Sequence, residues 1–326
     1  MDLIRWGADV ARVEGAVDGE ALEVALVRPG SAAAAGGGRK RIRVNGVPRR
    51  AASLATALRV VVFAPEEMLL IAGSPSLRRA AIDRIAAGRF PAYGAALATY
   101  TRALQQRNGL LRAIREETAE RSELRYWDGP FLDAGAEIVD ARLRTLEELA
   151  GPLRAAHAEI APEEAAAAGL TVRYQTNAPQ RPGEGPRDAL ERRLGETAEK
   201  EAWNGTTLVG PHRDDLSFVL DERDLAGFAS RGQQRTAILA FKLAELDLLT
   251  ALDGRPPLLL LDDVFSELDP DRRSHLVRRI AELPQAFVTT TTLDDLDPAL
   301  LAIADTWRVD PGGGTTLTGP TRALPA

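Results

Sequence analysis

Two adjacent carboxylates, Asp262 and Asp263, directly follow a run of four leucines, and they are well suited to metal-assisted phosphate chemistry. The leucines, residues 258–261, predict a buried strand, so the acids are expected at its carboxyl end, where open α/β sheets bind ligands. Asp262 is predicted to hold Mg²⁺, directly or through water, because hard cations prefer oxygen ligands. Asp263 is predicted to polarise an attacking water in phosphoryl transfer.

A solvated acidic turn after a buried strand is the plainer interpretation of the same residues. The segment that follows, residues 266–269, favours the functional one because it has the spacing of a loop that crosses a dimer interface. It ends at Asp269.

Residues 230–233, Ser-Arg-Gly-Gln, predict a second chemical feature, the start of a helix that could hold a phosphate. Free N–H groups and the helix dipole attract anions at such a position. Ser230 adds a hydroxyl donor, and Gly232 lets the backbone approach a ligand closely. The alternative is a simple N-cap by Ser230, worth about 1 kcal/mol, and it is preferred if this segment is considered alone.

Together the two features describe half of a nucleotide-driven dimer. The other half would be a phosphate-binding loop of the form G-x-x-x-x-G-K-[ST], and no such string occurs in the 326 residues. Without the lysine and backbone amides of that loop, most binding of the β- and γ-phosphates is absent.

The pattern after Gly205 predicts an α/β frame for these residues, with apolar strands and an apolar stripe on the first helix. The predicted elements are strands at 208–210 and 216–220, a helix from Gly232, a strand at 258–261, a helix at 272–283 and a strand at 286–291. A strand, a helix and a second buried strand in succession are typical of a parallel sheet.

Residues 10–63 are predicted to be rich in strands, and a long middle region is predicted to be helical. The strands are expected at 22–27, 41–44 and 59–63, with a flexible loop tip at 30–38, a type I′ hairpin at Asn45-Gly46, further on a strand at 170–174, a loop at 180–186 and a helix at 190–203. From Ser76 to about Ile160 the pattern is helical, and residues 126–130 are expected to break it into two antiparallel helices of an arm.

Composition predicts an ordinary globular protein of roughly two domains. Apolar residues make up 45% of the chain, the formal net charge is −6 and the pI is about 5.4. No apolar run approaches the ~20 residues of a membrane span, so no membrane partner is expected. The chain has no cysteine, which excludes disulfides and thiolate metal sites and favours the cytoplasm.

Residues 210–215, Gly-Pro-His-Arg-Asp-Asp, resemble a metal or acid/base cluster at first sight. One histidine beside two acids is poor metal geometry on a strand, where neighbouring side chains point to opposite faces. A structural role, or contact with a nucleotide or DNA, is therefore favoured over catalysis. His157 and His275 are expected on helix surfaces.

Arginine supplies nearly all the positive charge, since only three of the 41 basic residues are lysines. Two clusters stand out: Arg39, Lys40, Arg41, Arg43, Arg49 and Arg50 around the hairpin, and Arg78, Arg79, Arg84 and Arg89 after it. Either could follow a phosphate backbone. A solvated charged face is the alternative that spacing alone favours.

In combination these motifs resemble the RecF family of bacterial DNA replication and repair proteins, which is related to the SMC and ABC ATPases. The resemblance covers nearly the whole chain from Asp2. Its motifs, in the family's order, are Pro65-Glu66 with Gly73–Pro75 and Arg78-Arg79, then Arg102–Asn108, Gly210–Asp215, Ser230–Arg235 and Asp262–Asp269.

The resemblance implies an α/β fold: an ABC/SMC-like ATPase head, with a parallel core sheet and an antiparallel β subdomain, interrupted by an inserted α-helical arm. The head would comprise residues 1–90 and 205–326, and the arm residues 91–204. The family's head would be incomplete here, because its opening strand, P-loop and following helix would precede Met1. The sequence interpretation is a late-assigned start or a fragment.

The resemblance also implies ligands and partners. ATP with Mg²⁺ would be held between two copies of the chain, with Ser230, Arg231, Gly232, Gln233 and Asp269 as nucleotide contacts, Asp262 as the metal residue and Asp263 as the hydrolytic one. The homodimer formed with ATP would bind DNA near single-strand/double-strand junctions with low sequence specificity. It would work with RecR/RecO-type repair proteins to load recombinase.

Three functions follow as hypotheses. The first is an ATP-modulated DNA-binding protein of recombinational repair, in a family of slow ATPases. The second is a non-catalytic repair adaptor that has lost nucleotide binding. The third is a metal-dependent nuclease that uses Asp262, Asp263 and Asp269, and it is disfavoured because no second acidic motif supplies a metal pair.

Overall fold

A computed structural model describes residues 3–31, 39–49, 54, 57–164, 169–310 and 316–318. Most of the loop tip predicted at 30–38 lies outside these ranges, as does Arg50. The chain divides into two compact units, Met1–Val60 and Val61–Ala326.

The strands are β1 (Val10–Val17), β2 (Glu20–Val27), β3 (Lys40–Val44), β4 (Val47–Arg49), β5 (Val60–Phe63), β6 (Leu170–Gln175), β7 (Asp215–Leu220), β8 (Arg223–Asp224), β9 (Leu258–Asp262), β10 (Ala286–Thr289), β11 (Arg308–Asp310) and β12 (Thr316–Thr318). The α-helices are α1 (Leu69–Ala72), α2 (Pro75–Arg89), α3 (Tyr93–Arg115), α4 (Arg125–Ile160), α5 (Pro186–Asn204), α6 (Leu225–Phe228), α7 (Arg231–Asp253), α8 (Pro270–Ala281) and α9 (Pro298–Ile303). Short 3₁₀ turns precede α1 at Pro65–Met68 and α4 at Arg121–Leu124.

The first unit contains an antiparallel sheet in the order β1-β2-β3-β4. The predicted hairpin is confirmed: Val44 pairs with Val47, and Asn45 and Gly46 between them have φ of 51° and 75°. A type I′ turn needs positive φ at both positions, which these two residues tolerate. The Asn45 side chain also accepts a 2.8 Å hydrogen bond from the Ala21 amide, which ties the turn to β2.

The second unit holds a three-stranded sheet in the order β10-β9-β5, an antiparallel sheet in the order β6-β7-β8, and the long helices. Strands β9 and β10 are parallel, with Leu261 opposite Val288, as the strand-helix-strand pattern predicts. Leu259 and Leu261 face the main core together with Val61 and Phe63. Helix α7 crosses this core with all its residues from Thr236 to Leu246 buried.

The predicted break of the arm at residues 126–130 is wrong. Helix α4 runs for 36 residues and contains both Pro130 and Pro152. The chain instead turns just before it, where Glu117 adopts a φ of 59°. Proline removes one helical hydrogen bond, but Phe131 and Ile138 are fully buried against the α3 side of the arm core, and this packing outweighs the loss.

Arg107 fastens the three arm helices to one another. Its guanidinium, on α3, donates hydrogen bonds of 2.7 Å to Asp128 on α4 and to Glu201 on α5, and one of 3.0 Å to the Thr207 hydroxyl. Arg107 and Glu201 are almost fully buried, so removal of either would leave an uncompensated charge in the interior.

The strand predicted at 208–210 does not form. The amide of Thr207 donates to the Asn108 side chain at 2.7 Å and that of Leu208 to Glu201 at 2.7 Å, so side chains satisfy the backbone instead of a neighbouring strand. Gly210 has a φ of 125°, a conformation that few residues other than glycine adopt.

The surface positions expected for His157 and His275 are also wrong, since both side chains are buried. His157 lies 3.5 Å from Glu164 and His275 lies 3.5 Å from Glu159. Burial lowers the pKa of His157 and of His275, although the nearby carboxylates act in the opposite direction. Their acidic partners belong to α4 and the turn after it, a contact that helical periodicity alone could not predict.

Gly210→Ala is expected to destabilise the protein by about 1–3 kcal/mol, because the left-handed backbone is strained with a side chain. The added methyl group would also meet the Tyr100 hydroxyl and lie 3.0 Å from the Phe131 ring. Thermal unfolding measures the loss. The matched control is Gly195→Ala on α5, where nothing lies within 4 Å, and it should gain about 0.5–1 kcal/mol. Equal midpoints for the two variants would contradict the assignment.

Candidate functional site

A pocket of about 230 Å³ opens at the carboxyl end of β9. Its lining comprises Phe63, Ala64, Pro65, Met68, Arg235, Asp262, Asp263, Val264 and Leu268. The two predicted acids therefore reach the same pocket, at the sheet edge where the sequence places them. The rest of the lining is apolar apart from one cation, Arg235.

Asp262 is the last residue of β9, and its side chain is exposed at the pocket. The Thr289 hydroxyl, at the end of the neighbouring strand β10, donates a 2.5 Å hydrogen bond to Asp262 Oδ1. This bond occupies one oxygen and fixes the carboxylate. The threonine thus has a defined role as an orienting donor for the predicted metal residue.

Asp263 has the unusual φ of 50°, which turns the chain out of the strand. Its amide donates to the Thr289 carbonyl at 3.2 Å, so this turn is held by the adjacent strand. Its Oδ1 atom is buried and accepts no hydrogen bond within the described structure. A buried acceptor without a donor needs a water or a cation, and strained residues of this kind cluster at functional sites.

These two acids fit Mg²⁺ only in part. Within the described ranges, no group of three or more His, Cys, Asp or Glu side chains could surround a metal ion. In phosphate sites Mg²⁺ is commonly held by one or two carboxylates, with waters and phosphate oxygens as the other ligands. The oxygens of Asp262 and Asp263 suit that arrangement, in which a nucleotide completes the shell.

Asp269 does not line the pocket; it begins α8 as its N-cap. Its carboxylate accepts a 3.1 Å hydrogen bond from the Arg272 amide and also pairs with the Arg272 guanidinium. Burial acts to raise the pKa of Asp269, but the bonds from Arg272 outweigh it and the pKa lies below its usual value. The three acids of the nuclease hypothesis are therefore not gathered in one cluster.

The start of α7 has the predicted capping geometry. Ser230 Oγ accepts a 3.2 Å bond from the Gln233 amide, and the Gln233 side chain accepts a 3.1 Å bond from the Ser230 amide. The amides of Arg231 and Gly232 have no acceptor within the helix, because the first N–H groups of an α-helix never do. The capping box does not bond them either, and both residues are exposed. The capping alternative is thus realised, and it leaves these two donors available to a ligand.

Residues 230–233 do not line the pocket, but Arg235 on the next turn of α7 does. The sequence interpretation quoted Arg235 as part of a motif and gave it no role. Local spacing does not identify this role, because it depends on which distant segments of the chain share the pocket. Helix α7 therefore contributes to both features: its N-terminus is exposed, and its Arg235 lines the pocket that contains the two acids.

Residues 210–215 are part of a buried polar network. Burial lowers the pKa of His212 to about 4, and a 2.6 Å hydrogen bond joins its Nδ1 to the Tyr100 hydroxyl. Asp214 accepts a 2.6 Å bond from the Tyr174 hydroxyl, and burial raises its pKa. A neutral histidine and a fully bonded acid are consistent with the structural role that the sequence favoured.

The second arginine cluster is bonded to protein groups. Arg78 makes two 2.8 Å bonds to Asp215, and Arg79 donates at 2.7 Å to the Asp214 carbonyl. Arg89 pairs with Glu148 at 2.9 Å. On the first sheet, Arg12 and Arg43 both approach Glu23, at 3.6 Å each. These guanidinium groups have structural partners, which a charge count cannot reveal.

The fold belongs to the α/β class predicted from the sequence, with a parallel strand pair, antiparallel sheets and a long helical region. The RecF protein of Herpetosiphon aurantiacus is 40% identical over 279 residues, which cover 84% of this chain and 70% of that protein. The chain therefore belongs to the RecF family of DNA replication and repair proteins.

Solved structures agree with this assignment. A recombination mediator protein described as RecF-ATPrS in the RecFOR pathway superposes with a TM-score of 0.78 and 28% identity, covering 91% of this chain and 78% of that one. A second, described as RecF-ATP, has a TM-score of 0.76 and 28% identity, covering 90% and 78%. No protein-family model matches. These relatives give no support to an adaptor that has lost nucleotide binding.

No helix in the described ranges is long and apolar enough to cross a membrane.

Asp269→Asn is expected to lower the free energy of unfolding at pH 7, because asparagine keeps the N-cap but loses the charge pair with Arg272. A carboxyl group with a lowered folded-state pKa stabilises the protein above its unfolded pKa of about 3.9, and this contribution is lost as the pH falls through the folded value. The difference between wild type and variant should thus shrink in acid.

Urea unfolding between pH 7 and pH 3 checks this expectation. Asp271→Asn, in the first turn of the same helix, is the control for the loss of a negative charge near the helix N-terminus. A deficit of Asp269→Asn that persists unchanged at pH 3 would argue against the charge pair.

Proposed function

We propose that this chain is an ATP-modulated DNA-binding protein of recombinational repair, which dimerises around ATP. The observation that carries the proposal is helix α7: its N-terminus exposes the amides of Arg231 and Gly232, and its Arg235 reaches the pocket of Asp262 and Asp263. One element thus presents both an anion-binding end and a wall of an acid-lined pocket. Membership of the RecF family and the relative described as RecF-ATP support the same ligand.

At the helix end, the proposed ligand is the γ-phosphate of an ATP molecule held mainly by a second copy of the chain. Ser230 is hydrogen-bonded to Gln233 in the capping box, which fixes the first turn. Its hydroxyl would thus lie beside the amides of Arg231 and Gly232. Gly232 has no side chain to keep a phosphate away. Arg231 and Gln233 flank this position on the same turn, and Asp269 would contribute from its own loop.

At the strand end, Asp262 would hold Mg²⁺ and Asp263 would orient the attacking water. Thr289 keeps one oxygen of Asp262 bonded, which leaves the other for the cation. Asp263 has a buried oxygen with no donor in the described structure, so it could accept a hydrogen bond from the attacking water. The Mg²⁺-bound nucleotide would supply the phosphoryl group and an electrophilic phosphorus.

The DNA-related part of the proposal rests on family membership. The dimer would bind single-strand/double-strand junctions with low sequence specificity and, with RecR/RecO-type proteins, help to load recombinase. With a net charge of −6 over the chain, any phosphate contacts must come from local positive surface rather than from bulk charge. ATP-dependent dimerisation would bring two such surfaces onto one DNA molecule and raise its avidity.

Gly232→Asp is expected to abolish ATP-dependent dimers while leaving the fold as stable as before or slightly more so. The new side chain finds space, because its Cβ would meet only Ser230 Oγ at 3.7 Å. An acid in the first turn favours the helix by about 0.3–1 kcal/mol, yet it repels a phosphate at the same amides. Analytical ultracentrifugation with Mg²⁺ and ATP measures dimers, and thermal unfolding measures the fold.

The test uses protein expressed from its native coding region, with any residues encoded before Met1. Gly232→Ala is the control that adds bulk without charge, and its dimerisation should be much less affected. Binding to a labelled junction DNA should fall together with the dimer. Dimerisation of Gly232→Asp at the wild-type ATP concentration would refute the assignment of this helix end.

A further inference from the structure

Three charged side chains meet inside the main core, and a fourth, the half-exposed Arg84, approaches them from the surface. Lys242 and Glu245, on α7, are 1% and 2% exposed. Arg84 reaches them from α2, and Glu67 reaches them from the 3₁₀ turn Pro65–Met68. Two cations and two anions balance in charge, so the cluster is neutral as a whole.

Lys242 is the centre of this cluster. Its Nζ lies 2.9 Å from Glu67 Oε2 and donates a 3.2 Å hydrogen bond to Glu245 Oε2. Arg84 lies farther away, 3.6 Å from Glu67 and 3.9 Å from Glu245. The only side chain of the four with a backbone outside the long helices is Glu67, so the buried lysine links the turn at Pro65–Met68 to α7.

Stability does not explain the cluster. Burial of charged pairs removes their hydration, and apolar side chains of similar volume often stabilise as well or better. The link is also imperfectly bonded, because Glu67 Oε2 is buried and its contact with Lys242 lacks the angle of a hydrogen bond. The contact between Glu67 and Lys242 fixes the place along α7 at which the turn lies, and it adds little to the free energy of unfolding.

The place it fixes is a wall of the pocket. Pro65 and Met68, the first and last residues of the turn, line the pocket beside Asp262 and Asp263, and Arg235 of α7 lines it from another side. Lys242 lies two helical turns after Arg235 on α7. The turn and the helix are thereby held at a set separation, and both contribute lining residues to the pocket.

We propose that Lys242 and Glu67 are positioning residues, which set the pocket wall at Pro65–Met68 against helix α7 and so keep the exposed N-terminus of that helix in register with the acid-lined pocket. This inference rests on the proposed function, because it concerns how the same nucleotide site is aligned. Neither residue touches the pocket, so neither is catalytic.

Glu67→Gln tests the inference, with Glu66→Gln as the matched control in the same turn. Glu67→Gln removes the charge that holds the turn and leaves the Lys242–Glu245 pair intact, whereas Glu66 is exposed. In the native-length protein with Mg²⁺, Glu67→Gln should raise the ATP concentration for half-maximal dimerisation about 2- to 30-fold. The maximal dimer fraction should stay the same, and Glu66→Gln should match wild type.

A second variant separates positioning from stability. Glu67→Gln/Lys242→Met/Glu245→Met removes the three buried charges together, and its thermal midpoint is expected to equal or exceed that of wild type because no buried charge is left without its partner. Its half-maximal ATP concentration should nevertheless rise as it does for Glu67→Gln. A purely structural role would instead make any loss of dimerisation follow the loss of thermal stability.

The outcomes distinguish the two proposals. If wild type dimerises with ATP and both variants respond at the wild-type concentration, the positioning role is overturned and the proposed function stands. If wild type itself shows no ATP-dependent dimer, the proposed function fails and the inference fails with it. A shifted ATP response with an unchanged thermal midpoint supports the positioning role.

Discussion

Helix α7 is buried on every side over the middle of its length, and this burial constrains the elements around it. From Thr236 to Leu246 each residue is covered, so the helix cannot lie on a surface and must be surrounded. Helix α4 packs along it, the parallel strands β9 and β10 belong to the same core, and the turn at Pro65–Met68 closes over Lys242. The helix is exposed at its ends, and its N-terminal end carries the candidate ligand contacts.

That constraint explains why the candidate site has two parts. The exposed first turn at Ser230 is the end of an otherwise inaccessible rod, while Arg235, one turn later, already faces the pocket of Asp262 and Asp263. Because an α-helix is stiff, the packing of the buried middle of α7 also fixes the position of its exposed first turn. The site combines two acids and one arginine with an apolar lining. This combination follows from the packing of the core, which brings these residues together.

Sequence patterns predicted the parts of this architecture that local chemistry decides. The Asn45-Gly46 hairpin follows from the conformations those two residues allow, and the Leu258–Leu261 strand follows from its continuous apolar run. The capping box at Ser230 and Gln233 is equally local. Asp262 and Asp263 were predicted at the right sheet edge for the same reason, since the end of a buried strand is evident from the pattern.

The features of the fold that sequence patterns did not predict depend on interactions between residues that are distant along the chain. Proline usually interrupts a helix, yet α4 continues past Pro130 because Phe131 and Ile138 are buried in the arm core. Gly210 lies outside any strand because Asn108 and Glu201 satisfy the backbone before it. Pairs such as Arg78 with Asp215 join positions more than a hundred residues apart, and no single-sequence pattern contains that information.

The length of α4 has a geometric consequence. Its 36 residues make a rod of about 54 Å at the usual helical rise. Its carboxyl end lies in the main core at Ile160, and its amino end at Arg125 lies beyond the arm core of Phe131 and Ile138. If α4 moves as one rigid body, a small change of its angle in the main core therefore becomes a displacement of about 1 Å per degree at Arg125.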